Sequence, residues 1–535
     1  MNVADYITNV LLQEKIKYVF GYQGGNITYL IDSISRNKDI TYLQTYHEQG
    51  AAFAANAYAQ VSQKFGVAIS SSGPGAINMI NGIANAYYDS IPCLFITGNV
   101  NSATMRTSSA IRQNGFQETD IVQMVRGITK YAITVLNPES FPEILKDAIS
   151  IMLEGRKGPV LLDIPHNIQR AEIDCEIYER KEIKKEISDY TYIKEIEQQL
   201  MICNKPILWI GGGCRTSKCK NKIEELLKLC PMPVVSSLCG KDVLDNTHYC
   251  YRGMIGSYGF SYSNQVVADA DFILALGTRF DERQRVQTNK VFLDGKTIVH
   301  VDIDDNELGH VVNAQYPIKM SCEDFLEYLL EYTKPSMRWK NWLHQTEQLM
   351  LLKQKENEYQ LGSKLDYALK NILGKNIINT HIAVDVGIHQ MAAAQSIVVG
   401  KESNYLNSGG LGAMGYSLPA LIGAYYANQD KRLVCICGDG GFMMNMQELQ
   451  TFAREKIPAL IIIINNRELG MISNYQKIAM DGRYYGSQLG YEPPDFEKIA
   501  KTFGFKYQKY NLEKDNIDRI TDSQLMVEIE VQCNE

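Results

Sequence analysis

Three stretches of this chain alternate short apolar runs with segments whose apolar positions recur at helical spacing. That pattern belongs to parallel sheets whose strands are buried on both faces and connected by helices. The first stretch, 1–170, predicts strands near 18–20, 41–44, 67–70, 93–97 and 160–164. The charged run EIYERKEIKKEISDY then reads as a linker. The second, 190–335, predicts strands near 207–210, 234–236, 272–276 and 298–302. A charge-rich helical connector, RWKNWLHQTEQLMLLKQKENEYQ, leads to the third, 363–535, with strands near 382–385, 405–407, 433–437, 460–464 and 525–531. The expected fold class is α/β, with three doubly wound parallel-sheet domains.

Bulk properties narrow the function. With 45% hydrophobic and 21% charged residues the composition is that of an ordinary globular protein. A net charge of −7 without a long basic run argues against nucleic acid as a partner. No apolar run reaches the roughly 18 residues of a membrane span. The amphipathic N-terminus lacks the basic and apolar regions of a secretory signal. Twelve cysteines without framework or CxxC spacing read as core residues in a reducing, cytoplasmic setting.

The densest chemistry lies in LVCICGDGGFMMNMQELQTFAREKIPALIIIINN. One apolar run ends in Gly438-Asp439-Gly440, a helical stretch follows, and the next run ends in Asn465-Asn466. In a βαβ unit with adjacent strands both ends fall on one sheet edge, so Asp439 and Asn466 are expected to meet as hard oxygen ligands. Mg²⁺ takes few protein ligands plus phosphate oxygens. Gly438 and Gly440 admit a diphosphate beside the helix N-terminus. The spacing resembles the thiamine diphosphate (ThDP) motif.

Two further positions gain meaning beside that motif. Glu48, at the start of an alanine-rich helix, reads alone as a partner of the helix dipole. Next to ThDP it becomes the carboxylate that hydrogen-bonds N1′ of the pyrimidine and thereby activates the cofactor. Met414, between glycines, reads either as a gap-filler or as the wedge that bends the cofactor.

From end to end the chain resembles the large, catalytic subunit of acetolactate synthase (acetohydroxyacid synthase). The matching segments are VFGYQGG at 19–25, HEQGAAFAANAYA at 47–59, SGPGA at 72–76, GFQETDIV at 115–122 and GPVLLDIP at 158–165. They continue with LGTRFDER at 276–283, HVDID at 300–304, NSGGLGAMGYSLPA at 407–420 and the GDG, NN and LGMI set ending at 472. The resemblance implies a ThDP-binding fold: a pyrimidine-binding first domain, an FAD-binding-like central domain and a diphosphate- and magnesium-binding third domain. It implies ThDP, Mg²⁺ and FAD as cofactors, and a homodimer or homotetramer with active sites between subunits. A small regulatory subunit is a possible further partner.

Residue by residue, Gly25, Gly73 and Gly412 join Gly438 and Gly440 on cofactor-binding positions. By the same resemblance Glu468 is expected to supply a backbone carbonyl to the metal beside Asp439 and Asn466. Gln117 matches the family glutamine that contacts the reacting group, and Phe116 and Met471 match the positions that wall the site against water. Arg283 matches the arginine expected to hold the acceptor carboxylate, and Tyr475 stands where the family carries a tryptophan. Arg156, Gly212, Gly213, Arg279 and Asp302 fall on FAD contacts, although structural ion pairs would equally account for the arginines, and Gly211-Gly212-Gly213 lacks the full dinucleotide fingerprint.

The implied activity is decarboxylation of pyruvate and transfer of its two-carbon unit to a second 2-keto acid, forming 2-acetolactate. Departures cluster on the acceptor side: Gln23 for proline, His166 for lysine, Ser257-Tyr258 for methionine-histidine and Tyr475 for tryptophan. The family's C-terminal extension is also not found past Glu535. They keep open a carboligase acting on a nucleotide-linked keto-sugar in surface-polysaccharide synthesis, and a decarboxylase or oxidase on the same scaffold. A non-catalytic ThDP-binding scaffold would have lost Glu48, Asp439 or Asn466, and all three are present.

Overall fold

The computed structural model describes residues 1–174, 178–180, 191–285, 293–355, 363–510 and 524–531. The expected linker falls almost entirely outside these residues. Three six-stranded sheets follow one another along the chain. The first comprises β1 (Tyr18–Gly21), β2 (Thr41–Gln44), β3 (Gly66–Ser70), β4 (Cys93–Asn99), β5 (Tyr131–Thr134) and β6 (Val160–Pro165), in the order β2-β1-β3-β4-β6-β5. The second comprises β7 (Pro206–Ile210), β8 (Val234–Ser236), β9 (Tyr251–Met254), β10 (Phe272–Leu276), β11 (Thr297–Asp302) and β12 (Tyr316–Lys319), in the order β12-β11-β10-β7-β8-β9. The third comprises β13 (Thr380–Val384), β14 (Asn404–Leu406), β15 (Arg432–Gly438), β16 (Leu460–Asn465), β17 (Lys506–Tyr510) and β18 (Leu525–Glu530), in the order β14-β13-β15-β16-β18-β17. Every strand pairing is parallel, for example Gly438 opposite Ile464 between β15 and β16.

All the strands expected from the sequence are present. The four that sequence reading passed over, β5, β9, β12 and β17, are each at a sheet edge. An edge strand has one neighbour and less cover, so its sequence need not be a continuous apolar run. Accordingly β12 reads YPIK and β17 reads KYQKY.

The helical connector does not stand apart from the central domain. Its helix Lys340–Lys355 is preceded by Trp339, which is buried with Trp342 in the core under the second sheet. Their indole N–H groups donate to the carbonyls of Cys203 and Pro206, both at 3.0 Å.

The first and third sheets share one hydrophobic core. Its centre is the contact between the helix Glu48–Ser62 and the helix Ser417–Ala427. Small residues let the two backbones approach: a Cβ at Gly423 would lie 1.9 Å from the carbonyl oxygen of Ala54. Neither backbone can yield locally, so Gly423→Ala is expected to destabilise the protein by about 3 kcal/mol or more. Thermal unfolding of the purified variant checks this, and an unchanged midpoint would refute the packing argument. Among the described residues no helix is long and apolar enough to cross a membrane.

Candidate active site

In doubly wound sheets ligands settle outside the carboxyl ends of the strands, where the strand order reverses. Here the reversals lie between β1 and β3, between β7 and β10, and between β13 and β15. The glycine-bearing turns singled out in the sequence follow these strands: Gly25 after β1, Gly73 after β3, Gly212 and Gly213 after β7, and Gly438–Gly440 at the end of β15.

At the third reversal Asp439 opens the helix Asp439–Met444 directly after β15. Asn466 follows the last residue of β16, the adjacent strand, so both leave the same sheet edge on neighbouring strands about 4.8 Å apart. Of the two asparagines, Asn465 turns away and donates to Glu528 Oε1 at 2.7 Å. Asp439 is almost fully buried. Its Oδ1 accepts the Gly440 N–H at 2.9 Å, whereas Oδ2 is buried with no donor at full hydrogen-bond distance, the Arg467 N–H and the Tyr491 hydroxyl being the donors nearest the carboxylate. Burial pushes this carboxyl up, to about 6. A buried carboxylate oxygen with no donor is a costly arrangement unless a cation meets it. Among the described residues no cluster of three or more His, Cys, Asp or Glu could hold a metal. A hard cation at this edge would have one carboxylate beside amide and carbonyl oxygens, a donor set of the kind Mg²⁺ takes when phosphate completes its shell.

The loop carrying Met414 is fixed from several sides. Asp385, one residue past β13, accepts the N–H of Gly415 and of Ser417, both at 2.9 Å, and the Ser417 hydroxyl at 2.7 Å. Ser408 Oγ accepts the Ala413 N–H at 2.9 Å, and Asn445 donates to the Gly415 carbonyl at 2.7 Å. So held, the Met414 methyl lies 3.5 Å from where a Cβ on Gly440 would stand. That same Cβ would also collide with Leu469 at 2.7 Å, which explains the glycine. Gly412, at φ +71°, faces almost open space, and a Cβ on Gly25 would meet nothing within 4 Å. These two glycines are not explained by packing and leave room for a ligand against the backbone.

Two neighbours that sequence reading missed, His389 and Tyr491, join Glu468 at this edge. His389 accepts the Gly438 N–H through Nε2 at 3.2 Å, and burial lowers its imidazole to about 4. It is thus neutral at pH 7, with its proton on Nδ1. The hydroxyl of Tyr491 is buried beside Gly440 and points its donor toward the Asp439 carboxylate, short of full hydrogen-bond contact. Glu468 is buried, with its carboxylate accepting from Gln488.

In the first domain Glu48 is the first residue of its helix, with only 9% of its surface exposed. The His47 ring caps that helix by accepting the Gln49 N–H at 3.1 Å. Glu48 Oε2 accepts from Asn78 at 3.0 Å, and Oε1 lies 3.0 Å from the position of an absent Cβ on Gly75. Gly73, at φ +63°, packs its backbone on Gln117, which itself has φ +64°. The loop that presents Gln117 and Phe116 is organised by Glu118, whose carboxylate accepts the N–H of Arg106, Asn114 and Gly115 at 2.8–3.0 Å. Phe116 is 85% exposed and Tyr475 62% exposed on the isolated chain. Met471 is half-buried on the helix Gly470–Ala479, which also carries Tyr475.

Arg156, Gly212, Gly213, Arg279 and Asp302 all line one cavity of about 410 Å³ between the first and central domains. That volume is within the range of cofactor and ligand sites. Its mouth at the second reversal depends on glycine: a Cβ on Gly211 would lie 2.1 Å from the Gly277 carbonyl oxygen. Arg156 is already engaged by Asp304 at 3.0 Å and Glu307 at 2.6 Å, whereas Arg279 has its nearest carboxylate, Asp281, at 3.8 Å. Arg283 and Tyr258 line a smaller recess next to it, with Met391 and Gly409.

Residues 1–124, 193–329 and 385–528 match, respectively, the N-terminal, central and C-terminal domains of the thiamine pyrophosphate enzymes. The chain is 34% identical to the acetolactate synthase large subunit of Cyanidium caldarium, over 99% of this chain and 93% of that protein. It is 34% identical to the acetolactate synthase isozyme 2 large subunit of Escherichia coli (strain K12), over 98% and 93%. A probable acetolactate synthase large subunit of Methanocaldococcus jannaschii is also 34% identical, over 95% and 87%.

Proposed function

The chain belongs to the acetolactate synthase large-subunit family of thiamine pyrophosphate enzymes, and on that premise we propose a ThDP- and Mg²⁺-dependent carboligase that decarboxylates pyruvate and transfers the two-carbon unit to a second 2-keto acid. The relatives favour this over a keto-sugar acceptor, an oxidase or a non-catalytic scaffold. The observation that carries the site assignment is the buried Asp439 oxygen without a partner, one strand from Asn466 and beside Met414.

Bound ThDP supplies a carbon nucleophile and an electron sink for the bond that breaks as CO₂ leaves. The residues around it have separable tasks. Asp439, Asn466 and the Glu468 carbonyl would hold Mg²⁺, with Gly438, Gly440, Gly412, Gly25 and Gly73 letting backbone approach the cofactor. Glu48 would hold a proton for a ring nitrogen of the cofactor, while Asn78 holds its Oε2. Met414, fixed by the Asp385 and Ser408 hydrogen bonds, acts as an apolar wedge. Gln117 would offer an amide hydrogen bond to a substrate oxygen without giving up a proton. Phe116 and Met471 exclude water, Arg283 pairs with the acceptor carboxylate, and Tyr475 borders the acceptor.

The cavity at Gly212, Gly213, Arg279 and Asp302 suits FAD, with Arg279 the guanidinium left for the diphosphate and Arg156 acting first as a structural ion pair. The assembly proposed with this reading is a homodimer or homotetramer whose sites combine Glu48 of one chain with Asp439 of another, in line with the family resemblance. A cytoplasmic setting fits the free thiols of every described cysteine, and a small regulatory subunit remains a compatible partner.

Labelled pyruvate with ThDP and Mg²⁺ should yield labelled 2-acetolactate at undiminished rate without any sugar. Label appearing only when a nucleotide-linked keto-sugar is added would overturn the acceptor assignment. The purified protein should be yellow with flavin, and pyruvate turnover should release no peroxide. Peroxide stoichiometric with CO₂ would instead identify an oxidase.

A further inference from the structure

One buried carboxylate joins the third domain to the first, and the chemistry proposed above leaves it without a task. Glu448 ends the turn Met446–Glu448, which follows closely on the helix Asp439–Met444, and it is 0% exposed. Its Oε2 accepts the Thr451 hydroxyl at 2.8 Å, within its own domain. Its Oε1 crosses to the first domain and accepts the backbone N–H of Tyr46 at 3.0 Å. Tyr46 lies two residues before Glu48. Gly50, in the first turn of the same helix, is so close that a Cβ there would stand 2.5 Å from Glu448 Oε1.

A buried carboxylate needs compensation. The Arg454 guanidinium in its neighbourhood favours the charged form from a distance, while its direct ion pair is with Glu455. Direct compensation comes from the backbone N–H groups of Tyr46 and His47, just ahead of the helix Glu48–Ser62, whose dipole is positive at that end. Burial nevertheless pushes the Glu448 carboxyl up, to about 7. Gly50 and the Tyr46 N–H thus form a seat that accepts a carboxylate from the segment carrying Asp439.

We propose that Glu448 is a positioning residue, docking the start of the helix Glu48–Ser62 against the third domain and so fixing the direction in which Glu48 presents its carboxylate. The proposal rests on the reading of Glu48 as the activating carboxylate. Its consequence is mechanical: the segment that carries Asp439 also sets the bearing of Glu48. If sites combine two chains, Glu448 ties one site's metal side to the other site's activating side.

Two readouts on the full-length protein test it. In the cofactor-free chain, Glu448→Ala should speed deuterium uptake at the backbone amides of 45–50, leaving those of 432–438 unchanged. In the protein loaded with ThDP and Mg²⁺, it should slow C2 hydrogen–deuterium exchange by about tenfold or more, because small misplacements of a catalytic group are amplified in rate. The pyruvate kcat should fall in parallel while KM changes less than about threefold. Glu448→Gln keeps an acceptor oxygen for the Tyr46 N–H and should restore both readouts. Glu448→Asp draws the carboxylate back by one methylene and should behave as alanine does. If the alanine variant fails to fold, the Asp and Gln variants decide by the same measurements.

Wild-type amide protection and wild-type C2 exchange in Glu448→Asp would overturn the proposal. So would a lowered melting temperature with unchanged C2 exchange per bound cofactor, which marks a purely structural role. A parallel Glu48→Gln protein keeps the two failures apart. If its C2 exchange is also unimpaired, the reading of Glu48 itself has failed. If that exchange is slow while Glu448→Asp and Glu448→Ala exchange normally, this inference alone has failed.

Discussion

Glu48→Gln is expected to bind ThDP with near wild-type affinity yet slow C2 hydrogen–deuterium exchange and pyruvate turnover by about 10²–10⁴-fold, the contribution a positioned acid–base group makes. Glutamine fills the same volume and can still accept from Asn78, which now meets Glu48 Oε2 at 3.0 Å. What it cannot do is share a proton with a ring nitrogen. Melting should therefore move little, and the deficit should appear in kcat more than in KM. Exchange at the wild-type rate would remove Glu48 as activator. The same variant tests the shared site. Mixed with Asp439→Asn and allowed to exchange subunits, two inactive proteins should recover about a quarter of wild-type activity, since half of random dimers carry one intact site of two. No recovery despite verified exchange would place both residues in the same chain's site.

Asp439→Asn is expected to reverse the order of stability between cofactor-free and loaded protein. In the free chain burial raises the Asp439 carboxyl to about 6, above its ordinary 3.8. A carboxyl raised by folding contributes stability that is full below the unfolded value and is lost as pH rises through the folded one. The free wild type should thus lose on the order of 2 kcal/mol between about pH 4 and pH 6 through this group. The asparagine variant, with no charge to bury, should lack that loss and be the more stable of the two at pH 7. With Mg²⁺ and ThDP the wild type should become the more stable, because its charge now meets a cation and the variant's amide does not. Binding requires the ionised carboxylate, so Mg²⁺-dependent stabilisation of the wild type should weaken about tenfold in affinity per pH unit below 6. Melting curves at pH 5 and pH 7, with and without Mg²⁺ and ThDP, check all three statements. An Asn variant stabilised by Mg²⁺ as strongly as the wild type would dismiss Asp439 as ligand.

Much of this site is local in the chain. Asp439 and Asn466 terminate two apolar runs that read as neighbouring buried strands, so their emergence at one sheet edge follows from strand geometry. The glycine turns at 25, 73, 212–213 and 438–440 announce themselves because each follows such a run. Asp385 and His389 carried no such mark. One reads as a polar residue past a strand and the other as a helix residue, and only folding aims them at the Ser417 and Gly438 backbones. Asn78 and Glu118 were silent for the same reason, since their partners are 30 residues away in one case and a loop's own N–H groups in the other.

By itself the chain's pattern of apolar runs determined three parallel sheets, their central strands and the edge at which each glycine turn emerges, because two-sided burial writes itself into consecutive residues. Edge strands β5, β9, β12 and β17 escaped, since a strand with one neighbour tolerates almost any sequence. Folding alone decided that Asn465 is spent on Glu528, that Arg156 is bound by Asp304 and Glu307, and that Glu448 reaches Tyr46 across a domain boundary. Such contacts join residues far apart in the chain, and the free energy that selects them comes from burying polar groups together, which no local pattern records.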